Sequence, residues 1–296
     1  MNQNYPLNPR LRKQRKTLLS FLALIFLITG VMLGAWQLKI VREFFGQASG
    51  VPANLIIDTQ AILGPLPRPW RNLAQGGEDH NWRLDKLNGP VAALKPEYIR
   101  LDHIYDFYDI VQGGPGNLTF NWTKFDLIID DIVKTGATPY IALSYMPPAI
   151  SSGDILAYPT NWADWQLVVQ KTIEHVSGSK GIRDVYYEVW NEPDLFGSFK
   201  YYGEKNYLTL YAYASAGAKN ARGVLPFKLG GPAITALYKN WFDAWAKACI
   251  GNSWRCDFFS WHRYSNDLDQ YAEDMELVKN WVAAYPQLEP TLEFHI

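Results

Sequence analysis

The chain has little cysteine, little net charge and no motif for a bound nucleotide or metal. Its 2 cysteines lack the spacing of zinc ligands. No G-x-G-x-x-G and no phosphate-binding loop occurs, which removes the usual mark of a nucleotide-binding open sheet. The net charge of the 296 residues is -1, and beyond residue 16 acidic residues outnumber basic ones, which argues against a nucleic-acid partner. We therefore expect no nucleic acid, metal or organic cofactor.

Aromatic residues, in contrast, are abundant. They make up 15% of the chain, with 12 Trp and 18 Tyr, beside 48% hydrophobic and 19% charged residues. This composition indicates a globular chain, long enough for one large domain or two smaller ones. Aromatic rings can fill a large core or line a site that holds a flat ligand such as a sugar. Composition alone favours the core.

One apolar segment, residues 17–36, carries no charge. In a helix its length reaches roughly 30 Å, the thickness of a hydrocarbon core. The basic residues before it should stay in the cytoplasm. We therefore expect a basic cytoplasmic tail (1–16), a transmembrane helix (17–36), a linker (37–53) and a domain outside the membrane (54–296). A cleaved signal peptide, which would release a secreted domain, is the alternative.

The two cysteines, Cys249 and Cys256, are compatible with export. In an oxidising compartment they could close a small local disulfide, whereas cytosolic thiols would stay reduced. Two unpaired buried thiols are the alternative.

Short apolar runs alternate with stretches of helical periodicity in the main domain. One predicted helix ends at Gly136, a suitable C-cap, and the next follows Asn161, a suitable N-cap. Such alternation indicates a parallel sheet, either doubly wound or closed into a (β/α)8 barrel. Polar and aromatic residues collect at the C-terminal ends of the predicted strands, where barrel active sites are assembled, so the barrel is favoured. The predicted strands are NLIID, YIRLDHI, TPYIALSY, VYYEVW, FKLGG, DFFSWHRY and PTLEFHI.

Two glutamates stand within the aromatic run YYEVWNEPDL, residues 186–195. Alternate side chains of a strand share a face, so Glu188, Trp190 and Glu192 are expected on one face. Glu192 would lie at the top, in a partly apolar pocket that raises its pKa and suits a general acid. A salt-bridged or solvated loop acid is the alternative. Glu188 is expected to be structural, paired with a base such as Arg100.

The motif Trp190-Asn191-Glu192-Pro193 resembles the fourth-strand signature of clan A glycoside hydrolases. The wider run VYYEVWNEPDL is most similar to family 39, the group of β-xylosidases and α-L-iduronidases. The resemblance spans residues 54–296 and implies a (β/α)8 TIM barrel that hydrolyses O-glycosidic bonds of a carbohydrate substrate with retention. Further stretches follow in the order of that family's strands: LAQGGE, YIRLDHIYD, LSYMPPAI, LGGPAIT and FFSWHRYS.

The resemblance also implies the catalytic pair. Glu192 would be the acid/base, and the nucleophile would be a second glutamate at the end of strand seven, for which PTLEFHI offers Glu293. Glu293 would attack the anomeric carbon while Glu192 protonates the leaving oxygen, with the two carboxyl groups about 5 to 5.5 Å apart. A charged residue in a frayed C-terminus is the alternative reading of Glu293.

Eight further residues are candidates for substrate binding. Asn191 would, by the resemblance, hydrogen-bond the sugar's 2-hydroxyl. Tyr264 shares a face of strand six with His262 and could orient the nucleophile, although His262 could equally be a core histidine. Arg100 and Asp102 could form a structural ion pair or hold the nucleophile. The remaining candidates for sugar contacts are His103, Tyr145 and Glu78, of which the last could also cap a loop.

The sequence ends three residues after Glu293, before the seventh helix and the eighth strand of a barrel. An open barrel would expose an edge and part of its core. A fragment of a longer product is the simplest explanation; a partner that supplies the rest and a decayed relative are the others. Two functional classes therefore stay open. One is a membrane-anchored retaining glycosidase, and the other is a non-catalytic carbohydrate-binding or scaffold protein.

Overall fold

The computed structural model describes residues 18–30, 60, 64, 69–75, 80 and 82–296. The predicted tail (1–16) and linker (37–53) lie outside the described residues, as do Glu78 and residues 17 and 31–36 of the predicted membrane segment. Residues 18–30 form a helix, α1. No helix in the described part of the chain is both long enough and apolar enough to cross a membrane. The chain divides into two units, Met1–Leu66 and Pro67–Ile296.

The second unit is built on a parallel sheet with one added hairpin. Its described strands are β1 (Asn72–Ala74), β2 (Tyr98–Leu101), β3 (Val111–Gly114), β4 (Asn117–Phe120), β5 (Thr138–Leu143), β6 (Val185–Val189), β7 (Phe227–Ile234), β8 (Phe258–Trp261) and β9 (Glu293–His295). Seven strands form the sheet, in the order β1-β2-β5-β6-β7-β8-β9, and each pairs in parallel with its neighbour. The antiparallel hairpin of β3 and β4 is inserted after β2.

Helices connect successive strands of the sheet. They are α2 (Asn88–Ala93), α3 (Ile104–Phe107), α4 (Thr123–Lys134), α5 (Trp162–Ile173), α6 (Tyr207–Asn220), α7 (Lys239–Asn252) and α8 (Asp269–Val282). The Asn161 side chain caps α5 by accepting the Ala163 N–H at 3.0 Å. Gly136, with φ 87°, follows the end of α4, where its left-handed backbone suits a C-cap. Both predicted helix boundaries are confirmed.

The strand order distinguishes the two predicted sheet types. A doubly wound sheet reverses its strand order at a switch point, whereas here the order follows the chain throughout. The arrangement fits seven strands of a (β/α)8 barrel, as predicted. The predicted strand NLIID lies outside the described residues, and the first described strand is β1. Within the described residues no eighth strand joins β1 to β9.

Aromatic side chains fill the core between the sheet and its helices. The largest fully buried side chains are all aromatic, for example Trp165 on α5, Trp245 on α7 and Trp261 on β8. The prediction that the aromatic excess serves the core is therefore confirmed. Cys249 in α7 and Cys256 ahead of β8 form a disulfide, which decides between the two alternatives for the cysteines.

Candidate functional site

The candidate site lies at the C-terminal ends of the parallel strands, where β6 stops at Val189. Trp190 and Glu192 follow with φ of 77° and 49°, in the left-handed region that non-glycine residues rarely occupy. The chain therefore turns out of the strand, and the alternation of faces ends. The predicted shared face of Glu188, Trp190 and Glu192 therefore cannot rest on strand alternation, although Glu188 and Glu192 both interact with His262.

Glu192 is held by two contacts. Its Oε1 lies 2.6 Å from Nδ1 of His262, which follows β8, and its backbone N–H donates to the carbonyl of Ala233 at 2.9 Å. The Glu192 side chain is only 10% exposed and that of His262 19%. The carboxyl group is buried as predicted for a partly apolar pocket, and on one side it contacts an imidazole, which the sequence did not indicate. His262 is thus part of the site and not a core histidine.

Arg100 on β2 connects the interior of the sheet to this rim. Its Nε donates to Oε2 of Glu188 at 2.8 Å, and its Nη2 donates to Oδ1 of Asn191 at 2.9 Å. Burial alone would lower the pKa of Arg100, but the charges of Glu188 and Asp102 raise it above its ordinary value. Burial likewise opposes ionisation of Glu188, yet Arg100 and His262 lower its pKa. The predicted pairing of Glu188 with Arg100 is confirmed.

Tyr145 lies on the opposite side of Asn191 from Arg100. The Asn191 Nδ2 donates to the Tyr145 hydroxyl oxygen at 2.8 Å. The Tyr145 ring is buried edge-on against His103, with centroids 4.6 Å apart, and His103 Nδ1 lies 2.8 Å from Oδ2 of Asp106. Burial raises the pKa of Tyr145. The structure thus brings together Asn191, Tyr145 and His103, as the predicted sugar-binding role requires.

Asp102 follows β2 and is buried beside Arg100. Its Oδ2 lies 3.7 Å from Nη1 of Arg100, a long ion pair, and its Oδ1 has no hydrogen-bond partner among the described residues. Burial raises the pKa of Asp102, and the charge of Arg100 only partly offsets this. The ion-pair alternative for these two residues is the one that the structure shows.

Glu293 lies away from Glu192, which contradicts the predicted catalytic pair. The register of β9 places Glu293 opposite Phe258, the first residue of β8, whereas His262 lies four residues further on. Four residues of a strand span roughly 13 Å, far more than the 5 to 5.5 Å of a retaining pair. The Glu293 carboxylate instead accepts the Tyr186 hydroxyl at 2.8 Å and pairs with Lys228.

The surroundings of Glu293 are those of a structural ion pair. Burial would raise its pKa, but the contacts with Lys228 and Tyr186 lower it. Tyr264 does not orient this glutamate either. It follows β8, beyond the end at which Glu293 lies, and is 88% exposed, so its role toward a nucleophile stays a prediction.

Two residues that sequence reasoning missed extend the network around Glu188. The Tyr140 hydroxyl on β5 donates to Oε1 of Glu188 at 3.1 Å and lies 3.1 Å from Nδ1 of His295. Burial lowers the pKa of His295. The sequence offered one signal for Tyr140, a tyrosine within the apolar run TPYIALSY. In the sheet this residue pairs in register with Arg100. A cavity of about 700 Å³ inside the sheet is lined by these side chains and by His262.

No metal site is visible in the described part of the chain. No group of three or more His, Cys, Asp and Glu side chains there could hold a metal ion.

Comparison with known proteins identifies one family that this chain resembles. The model of glycosyl hydrolases family 39 matches residues 56–285. A beta-xylosidase of Caldicellulosiruptor saccharolyticus is 32% identical over 208 residues, which are 64% of this chain and 40% of that protein. A beta-xylosidase of Geobacillus stearothermophilus is 27% identical over 216 residues, 66% of this chain and 42% of that protein. This chain therefore spans well under half the length of these relatives.

The fold has a close counterpart among solved structures. A monomeric beta-xylosidase from Caulobacter crescentus CB15 superposes with a TM-score of 0.60 at 23% identity, over 72% of this chain and 49% of that one. This likeness supports the barrel fold, while the family assignment rests on the match over residues 56–285. By that match, the chain belongs to glycosyl hydrolase family 39.

Proposed function

We propose that this chain forms the acid/base half of a retaining glycosidase site that acts on β-xylosides, with Glu192 as the general acid/base. The observation that carries the proposal is the buried Glu192 carboxyl group, 2.6 Å from His262 at the end of the fourth parallel strand. The substrate class is inferred from the two similar proteins named beta-xylosidase.

The proposed reaction assigns a separate task to each oxygen of Glu192. His262 engages Oε1, which leaves Oε2 to protonate the glycosidic oxygen and later to take a proton from water. His262 orients the carboxyl group through this contact. Asn191, whose Oδ1 is held by Arg100, presents its amide to the sugar's 2-hydroxyl.

The nucleophile of the proposed reaction belongs on the strand of Glu293, but nearer its C-terminal end. Phe258 pairs with Glu293 and Ser260 pairs with His295. Continuing this register, the position level with His262 lies further along this strand than His295. A carboxylate at or next to that position would face Glu192 across the rim at the separation that retention requires.

The proposal is tested with 4-nitrophenyl β-D-xyloside. For a protein in which the strand of Glu293 carries a carboxylate level with His262, we expect hydrolysis, and a loss of about 100-fold or more in Glu192→Gln, the usual scale of general acid/base catalysis. Azide should rescue this variant by forming a β-xylosyl azide, since the nucleophile would remain. Glu204→Gln, which changes an exposed glutamate, is the matched control. Wild-type rates in Glu192→Gln would rule out the acid/base role.

A non-catalytic carbohydrate-binding or scaffold protein is the second candidate. It is favoured by one observation, the pairing of Glu293 with Lys228 away from Glu192. Titration of the protein with xylobiose separates the two. Binding with no turnover, unchanged by Glu192→Gln, would support the second candidate, and turnover that depends on Glu192 would support the first.

We further propose that the barrel is exported and anchored through residues 17–36. The support is the charge-free run behind the basic tail, together with the Cys249–Cys256 disulfide, which suits an oxidising compartment. After expression, the protein should sediment with membranes and resist alkaline carbonate extraction. A shortened protein in the medium would indicate signal cleavage instead.

A further inference from the structure

A continuous path of hydrogen bonds joins five buried or mostly buried side chains from the interior of the sheet to the rim. It runs from Tyr140 to Glu188 (3.1 Å), to Arg100 (2.8 Å), to Asn191 (2.9 Å) and to Tyr145 (2.8 Å). These residues lie on or directly after β2, β5 and β6, three neighbouring strands. One path therefore links the core to Asn191 and Tyr145 at the proposed sugar site.

The direction of each hydrogen bond in this path follows from chemistry. A guanidinium group has no acceptor, so Arg100 has to face Oδ1 of Asn191. The Asn191 Nδ2 is then the donor to the Tyr145 oxygen. That oxygen accepts, and the Tyr145 hydroxyl proton is left without an acceptor among the described residues. A buried hydroxyl that lacks an acceptor is costly unless a ligand supplies one.

Glu188 determines this direction because it anchors Arg100. Its Oε2 accepts the Arg100 Nε–H at 2.8 Å and lies 2.7 Å from Nη2 in an ion pair, while Oε1 accepts the Tyr140 hydroxyl proton. The ionised carboxylate accepts on both oxygens at once and supplies the charge that pairs with Arg100, and the lowered pKa of Glu188 favours this form. Without that anion, nothing in the path holds Arg100 against Asn191, and the Asn191 amide could rotate.

We propose that Glu188 is a positioning residue that acts through Arg100 and Asn191, and that the Tyr145 hydroxyl is thereby a hydrogen-bond donor to one hydroxyl group of the bound sugar. This inference rests on sugar binding at the proposed site, but it does not require turnover. It makes Tyr145 a determinant of which sugar hydroxyl is recognised.

The test is a set of binding titrations with methyl β-D-xyloside and its 2-deoxy, 3-deoxy and 4-deoxy derivatives. For the wild type, the deoxy sugar that lacks the hydroxyl group bonded by Tyr145 should bind roughly 3- to 10-fold more weakly than the parent, the worth of one hydrogen bond. Tyr145→Phe should weaken binding of the parent sugar by a similar factor and leave the affinity for that deoxy sugar unchanged, because the substitution and the missing hydroxyl remove the same contact. Tyr187→Phe, which loses a buried hydroxyl bonded to Ser177 outside the path, is the matched control.

Glu188→Gln tests the positioning role by the same pattern. It should abolish the discrimination between the parent and that deoxy sugar, as Tyr145→Phe does. If Glu188→Gln does not fold, Tyr145→Phe alone decides whether the donor exists. The inference is overturned if the wild type binds none of the four sugars, or if Tyr145→Phe weakens all four equally or none. A folded Glu188→Gln that keeps full discrimination overturns the positioning role. The expected pattern without any hydrolysis would uphold this inference while rejecting the glycosidase proposal.

Discussion

Replacing Gly230 by alanine tests how closely β7 and β8 have to approach each other to support the site. A Cβ atom at Gly230 would lie 2.2 Å from the carbonyl oxygen of Phe258 and 2.5 Å from the Cγ atom of its ring. The carbonyl belongs to the backbone of β8, which pairs with Gly230, and the ring is fully buried. Neither the carbonyl group nor the ring of Phe258 can move away without separating the two strands.

The expected cost follows from that geometry. Overpacking a core typically costs 1 to 3 kcal/mol when side chains can adjust, and a clash with paired backbone belongs at or above the upper end, about 3 kcal/mol. For a domain of this size such a loss lowers the melting temperature by roughly 6 to 12 °C. Because His262 continues β8, a displaced strand should also weaken the contact between His262 and Glu192.

Thermal and urea unfolding of the Gly230→Ala protein measures this effect. Gly251→Ala is the matched control, since Gly251 lies in α7 with no atom within 4 Å of its would-be Cβ. Alanine there should leave stability unchanged or raise it by up to about 1 kcal/mol. If Gly230→Ala unfolds at the wild-type temperature, β7 and β8 are further apart than described, and the register that places His262 beside Glu192 has to be rejected.

Two further predictions concern stability. Burial would raise the pKa of Asp131, but its hydrogen bond and ion pair with Arg83 lower it. The ionised Asp131 therefore stabilises the folded protein at pH values above the unfolded-state pKa, and this contribution is lost as the pH falls through the folded-state pKa. Asp131→Asn should therefore lose about 2 kcal/mol in urea unfolding at pH 7 and much less at pH 3; equal losses would contradict this. The Cys249–Cys256 disulfide closes a short loop, so replacing both cysteines by serine should cost about 2.5 kcal/mol. An unchanged unfolding midpoint would show that the loop is ordered without the disulfide.

The parts of this fold that could be predicted are those set by local periodicity. Apolar runs of strand length alternate with amphipathic stretches, and this alternation alone separates β5, β6, β7 and β8 correctly. Asn161 and Gly136 mark helix ends because their own side chain or φ angle satisfies the local backbone. The motif around Glu192 is equally local, which is why its position at the end of β6 agrees with expectation.

The parts that could not be predicted depend on contacts between distant residues or on an unusual backbone. Tyr140 and His295 are 155 residues apart and meet only because β5 and β9 belong to one curved sheet. The left-handed φ angles of Trp190 and Glu192 break the strand alternation at the site itself. Local rules fail at functional sites because a strained turn is what presents the side chain there.

Glu293 shows most clearly what sequence reading lacks. The run PTLEFHI correctly predicts a strand, but a strand has two ends, and only pairing with β8 decides which end Glu293 occupies. If the register were shifted by four residues, the Glu293 carboxylate would face Glu192 and would no longer pair with Lys228. Glu293 and His295 share one face of β9, and that face points into the sheet, toward Tyr186 and Tyr140. Under the proposed retaining mechanism, the nucleophile would be a carboxylate on the same face of this strand and nearer its C-terminal end, which the motif around Glu192 could not specify.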